Sequence, residues 1–523
     1  MNEDNYPKVG GKSAKVALAL LVLVYIFNFV DRQILSVLAE DIKADLNITD
    51  SDLGFLFGTA FAVFYSIFGI PLGKLADVWS RKNLLSIGLA SWSLMTALSG
   101  TAKSFTALSV YRVGVGIGES SASPASYSLL SDYFSPKIRT TILAIYSSGV
   151  YLGAGIGLFL GGWIVELWSS AYPATIDAPF GLKAWQAAFI IVGLPGVILA
   201  FFTWNIKEPK RGGSEGIESQ IEPHPFKVMF KEFIGISPFG LLNSDQPIKL
   251  LSINLLIGIS ISLVCFGLYR LTGDMVQWIA FGIGVYFLTC WIQGLKSRDP
   301  VTFEMIFKTK SFLLVVIGFP FIAFITYSMA AFGPSFYMRN YGITEAEVAT
   351  ILGLITAISG SIGVIGGGII ADKLREKYSN GRLYVGFAVI VLGVPSALAF
   401  LYADSLYASY AYYSIFQMIT PMWVGIAPAT VTDLVLPRMR GLATAFYILM
   451  VSMIGLALGP YCIGKLSDIY QSTGYSSGEA LRAALSMGLF ALIITGITLA
   501  LACYYLPRDE ATKVGRAKAL GEG

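Results

Sequence analysis

Runs of about twenty apolar residues, parted by short polar stretches, recur along the whole chain. A helix needs about that many to cross a hydrocarbon core about 30 Å thick. The runs at 16–38, 53–76, 84–102, 107–131, 139–166 and 184–206 predict six crossings. The charged stretch EPKRGGSEGIESQIEPHPFKVMFKEF follows and predicts a linker with one amphipathic turn before Ile236. Apolar runs at 250–269 and 275–295, separated by Arg270, Thr272, Gly273 and Asp274, predict an inserted hairpin. Six more, at 311–335, 346–371, 382–402, 407–432, 440–466 and 481–506, bring the expected total to fourteen. A transmembrane barrel needs short strands of alternating polarity, which these continuous Leu, Ile, Val, Phe and Gly runs lack. The expected fold class is therefore an all-α membrane protein.

Composition agrees: 55% of the 523 residues are hydrophobic, 13% are charged and the mean hydropathy is +0.67, where a soluble domain carries about 25% charge. The first run contains Asp31 and Arg32 and no small-residue cleavage site after a short core, so it reads as a first helix and not as a leader. Cys265, Cys290, Cys462 and Cys503 all lie inside apolar runs and read as packing residues, without a disulfide framework or zinc spacing. Placing the N-terminus in the cytoplasm puts 28 of the 37 Lys and Arg residues on cytoplasmic segments, seven outside, and leaves Arg32 and Arg112 within the membrane. The positive-inside tendency favours that orientation, with both termini cytoplasmic.

The segment GKLADVWSRK at 73–82 returns 295 residues later as GIIADKLREK, Gly73 matching Gly368 and Asp77 matching Asp372. A second echo, Asp132, Pro136 and Arg139, reappears as Asp433, Pro437 and Arg440, each displaced by 301. Two echoes at similar spacing imply duplicated halves, the arrangement a rocking transporter uses to alternate access around a central site. The expected layout is an N-terminal six-helix bundle at 1–206, a linker at 207–249, the hairpin at 250–296, a second linker at 297–310, a C-terminal six-helix bundle at 311–506 and a tail at 507–523.

Gly73, Lys74, Leu75, Ala76, Asp77, Arg81 and Lys82 resemble the signature loop between helices 2 and 3 of the major facilitator superfamily. FNFVDRQILSVL in the first helix and RVGVGIGESSASPAS in the fourth resemble its Spinster branch, and the resemblance runs over nearly the whole chain. It implies a major facilitator fold of two six-helix bundles related by a pseudo-two-fold axis, here with the hairpin as a departure from twelve helices. It further implies a bacterial inner-membrane homologue of proteins that export amphipathic lipids, sphingosine-1-phosphate or lysophospholipids, with coupling to protons.

Charges at membrane depth cost about 2.5 to 3.5 kcal/mol each on insertion scales, so those retained face a cavity or a partner. Asn28, Asp31 and Arg32 share one face of the first helix. Arg112 and Glu119 are seven residues apart on the fourth, about 10 Å along one face. Asp31 and Arg112 are expected to meet. One reading makes Asp31 and Glu119 the proton-coupling groups, with Arg32, Arg112 and Asn28 holding an anionic headgroup; the other makes Asp31 and Arg112 a permanent structural pair. Gly114, Gly116 and Gly118 read as helix-packing positions, since no strand precedes them and the dinucleotide spacing is incomplete. Gly73, Asp77, Arg81 and the repeat mate Asp372 are candidate gate residues, Asp77 by lying against a helix N-terminus or by pairing with Arg81, or else headgroup-level anchors.

The C-terminal half offers no ionisable group deep in its helices, and its inward candidates are Tyr327, Ser328, Gln417, Thr420 and Thr430, with Tyr327, Gln417 and Thr420 taken as substrate-facing. Charge on one wall and weak polarity on the other suit an amphiphile. An ATP-driven pump is disfavoured, because Gly11, Lys12 and Ser13 imitate the end of a phosphate loop but Tyr6 stands where glycine is required. An enzyme is disfavoured because the single histidine, His224, lies in the linker and no nucleophile or metal constellation appears. The expectation is a monomeric secondary transporter of an anionic or zwitterionic lipid, using protons and the bilayer but no cofactor, metal or nucleic acid; the alternative is a proton-coupled exporter of drugs or organic anions.

Overall fold

The computed structural model describes residues 7–135, 138–212, 223–243, 246–436 and 439–521, and it is helical without any strand among them. Pro136, Lys137, Pro437 and Arg438 of the loop echoes lie outside the described residues. The principal helices are α1 (Lys12–Val37), α2 (Asp50–Val78), α3 (Arg81–Ser99), α4 (Phe105–Glu119, resuming as Ala122–Tyr133), α5 (Arg139–Ala171) and α6 (Ala184–Trp204). Then come α7 (Pro247–Thr272), α8 (Met275–Arg298), α9 (Lys310–Tyr341), α10 (Glu345–Lys377), α11 (Gly381–Leu401), α12 (Leu406–Asp433), α13 (Arg440–Ser472) and α14 (Ser477–Ala519).

Twelve helices among the described residues are long and apolar enough to cross a membrane, α7 and α8 included; α3 and α4 fall short of that measure. The reasons are local. α3 has 19 residues and opens on Arg81, Lys82 and Asn83, while α4 is interrupted at Ser120 and Ser121. The expected amphipathic turn before Ile236 is a three-turn helix, Pro225–Gly235, whose Phe233, Met229 and Phe226 rest on Phe68, on the Leu75/Ala76/Leu84 cluster and on Trp79. The final helix, expected to end at 506, continues through Pro507 to Ala519, held by Arg516 Nη1 donating to Thr309 Oγ1 at 2.5 Å.

By contacts the chain forms two units, and their borders cut through helices. The first comprises Met1–Ile48, Phe64–Phe233 and Thr344–Ala357; the second comprises Thr49–Val63, Ile234–Ile343 and Ile358–Gly523. Each unit thus takes in the opening turns of a helix that the sequence repeat assigns to the other half.

In the first unit α5 is the central surface. A Cβ on Gly153 would lie 2.5 Å from the Ile26 carbonyl oxygen of α1, and one on Gly155 would lie 2.4 Å from that of Gly353 in α10. Backbones approach that closely only where the side chain is a hydrogen, which is how membrane helices gain van der Waals contact. Gly118 plays the same part where α4 meets Trp92 of α3.

In the second unit the opening turns of α2 lie on α13. Gly54 and Gly58 permit it, since Cβ atoms there would come within 2.4 Å of the Pro460 and 2.3 Å of the Leu456 carbonyl oxygens. Thr59 Oγ1 donates to the Ala457 carbonyl at 2.8 Å. Around this seam α13 adopts π-helical turns over Val451–Leu458. The turn geometry leaves carbonyls out of the regular ladder, available to a neighbouring helix.

Candidate functional site

In the first unit α1 and α4 bring together the four membrane-depth charges anticipated from the sequence. Asp31, Arg112 and Glu119 are buried, as is Asn28, and Arg32 is nearly so. The pairing differs from the expected one. Arg32 Nε donates to Glu119 Oε2 at 2.6 Å, forming the ion pair, while Arg112 Nη1 reaches the main-chain carbonyl of Asp31 at 3.4 Å. Both Asp31 carboxylate oxygens are buried without a hydrogen-bond partner among the described residues, on the side where Trp92 and Thr96 of α3 stand. Asp31 and Arg112 therefore meet as expected, but through the Asp31 main chain and not as a side-chain pair. Asn28 lies beside Glu119, whose Oε1 accepts no hydrogen bond.

Aromatic rings surround the Arg32 end of this cluster, and sequence reasoning missed them. The Arg32 guanidinium carbon lies 4.9 Å from the ring centre of Phe29 and 5.2 Å from that of Tyr65. Such stacking stabilises a desolvated guanidinium. Beyond it Tyr25 stacks on Tyr146 at 4.3 Å, and Tyr127 meets Tyr146 edge-on at 5.4 Å. The signal was present on α1: Tyr25, Phe29 and Arg32 follow one another at helical spacing and share a face. Tyr127 and Tyr146 come from α4 and α5, and nothing local in the sequence points them at α1.

The second unit holds Tyr327, Gln417 and Thr420. Tyr327 and Gln417 are half-buried; Thr420 is buried and its hydroxyl donates to the Phe416 carbonyl of its own helix at 2.9 Å. Ser328 and Thr430 likewise bond back to Phe324 and Ile426. A hydroxyl satisfied in this way presents mainly its methyl or methylene to a neighbour, so these three make a less polar wall than their names suggest.

Of the candidate gate residues, Arg81 is the most embedded. Its guanidinium pairs with Asp132 of α4 and, at 3.0 Å, with Glu208, and also donates to Ser128 and to the Pro209 carbonyl. Glu208 Oε1 accepts the Arg81 main-chain N–H at 2.9 Å, and Oε2 accepts from Ser80 at 2.6 Å. The anticipated Asp77 to Arg81 pair is thus replaced by pairs to Asp132 and Glu208. Asp77 is exposed, near Arg211, which donates to the Ala76 and Trp79 carbonyls. Burial, and then the neighbouring Arg81, pull Arg211 below the usual arginine value. Gly73 stands against Pro124, where a Cβ would find ordinary contact at 3.8 Å.

In the repeat, Arg382 Nη1 bonds Asp433 at 2.5 Å and its Nη2 lies 3.6 Å from Asp372, whose side chain is 75% exposed. Arg81 and Asp132 thus map onto Arg382 and Asp433, both displaced by 301 positions. The letter match at 295 had set Arg81 opposite Glu376, because the second loop is six residues longer before its arginine.

At the opposite end of the first unit, the short helix Ala39–Leu46 between α1 and α2 carries Asp41 and Asp45. Asp45 pairs with Lys183 and accepts Trp185 Nε1 at 2.9 Å. Burial, then Asp45 and Glu40, push the Asp41 carboxyl above its usual range.

Comparison with known proteins places this geometry. The sequence profile described as Major Facilitator Superfamily matches residues 21–460. An MFS-type efflux pump of Mycolicibacterium smegmatis is 27% identical over 97% of this chain and 95% of its own length. The sphingosine-1-phosphate transporter SPNS2 of Danio rerio is 24% identical over 95% of this chain and 86% of its own. A crystal structure of a bacterial homologue of the human lysosomal transporter Spinster, inward-facing and unoccupied, superposes with a TM-score of 0.68 at 23% identity, covering 97% of this chain and 98% of that one. The buried charges on α1 and α4, the anchored 73–82 loop and its structural echo at Arg382 are thus features of a transporter with Spinster proteins among its relatives, and the chain belongs to the major facilitator superfamily.

Proposed function

We propose that the chain is a secondary transporter that moves an amphipathic anionic or zwitterionic lipid by alternating access, coupled to protons. The observation that carries this reading is the α1/α4 cluster: Arg112, Asp31 and Glu119 buried together with the part-buried Arg32, which is bracketed by aromatic rings. A headgroup anion competes with Glu119 for Arg32, and the rings of Tyr25, Tyr65 and Tyr146 receive apolar chain. Protonating Glu119 weakens its hold on Arg32 and frees the guanidinium for cargo. Asp31, without a hydrogen-bond partner in this arrangement, is the second proton carrier, and deprotonation draws Arg112 from the main chain to the carboxylate. Such exchanges shift an equilibrium only because each partner is bound in one state and not in the other.

The basic residues flanking the helices favour an orientation with both termini in the cytoplasm of a bacterium whose inner membrane holds the protein, α3 and α4 being two further crossings beside the twelve of sufficient length and apolarity. The 73–82 loop then lies on the inner side, where the Arg81 and Arg382 clusters brace the loops that move. Tyr327, Gln417 and Thr420 are the substrate-facing residues of the second unit in this reading, and the protein works as a monomer.

A second reading, proton-coupled export of drugs or organic anions, is favoured by the efflux pump among the relatives. Purified protein in vesicles with an imposed pH gradient, challenged with labelled lysophospholipids and with amphipathic drugs, separates the two. Gradient-dependent movement of lysolipid supports the first; movement of drugs alone supports the second. If neither moves, both fail.

A further inference from the structure

The inserted hairpin has no counterpart in the twelve-helix repeat, yet one of its helices is built into the second unit. α8 follows α13 from end to end. Trp291 stacks on Phe446 with ring centres 5.8 Å apart, and Trp278 stands edge-on to Tyr461 at 5.4 Å. At the tip Asp274 accepts the Tyr461 hydroxyl at 2.7 Å and Lys465 Nζ at 3.0 Å. Between these anchors lies Gly284, whose added Cβ would sit 3.0 Å from Met453 Sδ of α13 and 3.1 Å from Val63 Cγ1 of α2. The residues 277, 284 and 291 repeat every seven positions, so they lie on one face of α8. Gln277 on that face is buried with both amide atoms unpaired.

α7, by contrast, is exposed or part-buried throughout except at Asn254, which donates to Gln293 at 2.7 Å and accepts from Tyr286 at 2.5 Å to tie the hairpin together. An interhelical amide of this kind stabilises association where apolar contact alone distinguishes little between protein and lipid. Toward α2 and α13 the hairpin is bound through α8, which touches both sides of their seam at Gly284.

We propose that α8 is a strap across the seam between α2 and α13: it travels with α13, its contact with α2 at Gly284 and Val63 parts in each transport cycle, and its fit sets how readily the seam opens. This rests on the alternating-access reading above. The chemistry favours α13 as the permanent partner. Two ring pairs, a tyrosine hydroxyl bond and an ion pair join α8 to α13, whereas the approach to Val63 is apolar, without a directional bond, and separates at lower cost.

The test uses Thr59→Cys, at the heart of the seam, in a background with the four native cysteines replaced by serine; a membrane-impermeant maleimide then reports seam opening without knowledge of the cargo. Gly284→Leu, which overfills the contact, is expected to raise the labelling rate about fivefold or more, and the milder Asp274→Asn to raise it less. Leu263→Ala on the exposed face of α7 leaves the rate unchanged. Bridging Gly284→Cys to Val63→Cys with a short bifunctional thiol reagent, position 59 being read by transport in this case, stops transport; bridging Gly284→Cys to Met453→Cys does not. Labelling that occurs but ignores both hairpin substitutions, or transport that survives the 63 to 284 bridge, overturns the strap alone. Thr59→Cys that is never labelled in any variant overturns alternating access at this seam, and the strap with it.

Discussion

Arg339 of α9 grips Asp50 with both ends of its guanidinium, Nη1 to Oδ2 and Nη2 to Oδ1, each at 2.7 Å. Asp50 is fully buried and also accepts from Ser467 at 2.7 Å and Gln471 at 3.1 Å. One turn away Asp468 accepts the main-chain N–H groups of Asp50 and Ser51 at 2.9 and 2.8 Å, serving as a cap lent by α13 to the start of α2. A helix start has unpaired N–H groups and a positive dipole end, so a carboxylate there is favoured. This latch ties the first turns of α2 to helices of the opposite repeat half, at the end away from the 73–82 loop.

Removing one partner of such a buried pair leaves an uncompensated charge and costs about 3 to 5 kcal/mol. Asp50→Asn is expected to lower the melting temperature of the purified protein by several degrees. Asp50→Asn with Arg339→Gln is expected to recover part of the loss, because neither charge is then stranded. A thermal melt of the native protein and the two variants checks it, and equal losses in the single and double variants would sink the latch as a coupled unit.

Asp31→Asn removes a titrating group while preserving size. The expected outcome is transport that no longer responds to an imposed pH gradient, with equilibrium cargo exchange retained. Gradient-driven uptake at the native rate would exclude Asp31 from coupling.

Arg32 and Glu119 form the charged pair beside the aromatic rings. Loss of a charge-assisted hydrogen bond costs about 1.5 to 3 kcal/mol, so Arg32→Gln is expected to raise the half-saturating concentration of an anionic cargo about tenfold or more. Glu119→Gln acts the other way on binding, since it releases Arg32 for cargo, and it slows turnover. Concentration-dependent uptake resolves the two effects.

The repeated arginines differ in burial: the Arg81 side chain is 1% exposed and that of Arg382 is 20%. Arg81→Ala is therefore expected to cost about 1.5 to 3 kcal/mol, the range of a charge-assisted hydrogen bond, because Asp132 and Glu208 keep 11% and 21% exposure, and Arg382→Ala about 1 kcal/mol or less, as for solvated pairs. Relative melting temperatures test the ranking.

Asp41, outside the membrane helices, has a carboxyl raised by burial and by Asp45 and Glu40. A group that binds its proton more tightly when folded makes the protein lose stability as pH rises from the ordinary aspartate range through the raised value. Asp41→Asn should consequently melt higher than the native protein at neutral pH and coincide with it below about pH 4. A difference that grows toward acid would contradict the assignment.

Helical class, the approximate spans and the singling out of Asp31, Arg32, Arg112 and Glu119 as one group were legible from one dimension, because a bilayer demands an apolar run of set length and makes each charged exception conspicuous. The doubling was legible too, though letters aligned Arg81 with Glu376 where the fold aligns it with Arg382; a six-residue difference in loop length is invisible to a match over ten positions. Tyr127 and Tyr146 escaped notice beside Tyr25, as did Glu208 beside Arg81, since their partners are distant along the chain and aromatic or acidic residues are common everywhere.

The amino-acid order by itself thus determined what had to be in the membrane, since hydrophobic length and charge burial are properties of single segments. Only the tertiary structure decided who holds whom: that Arg32 takes Glu119, that Asp50 is latched by Arg339, and that α8 lies along α13. Ion pairs and close backbone approaches depend on how two helices cross and on which glycine or hydroxyl meets the contact, and no periodicity in either helix alone encodes that choice.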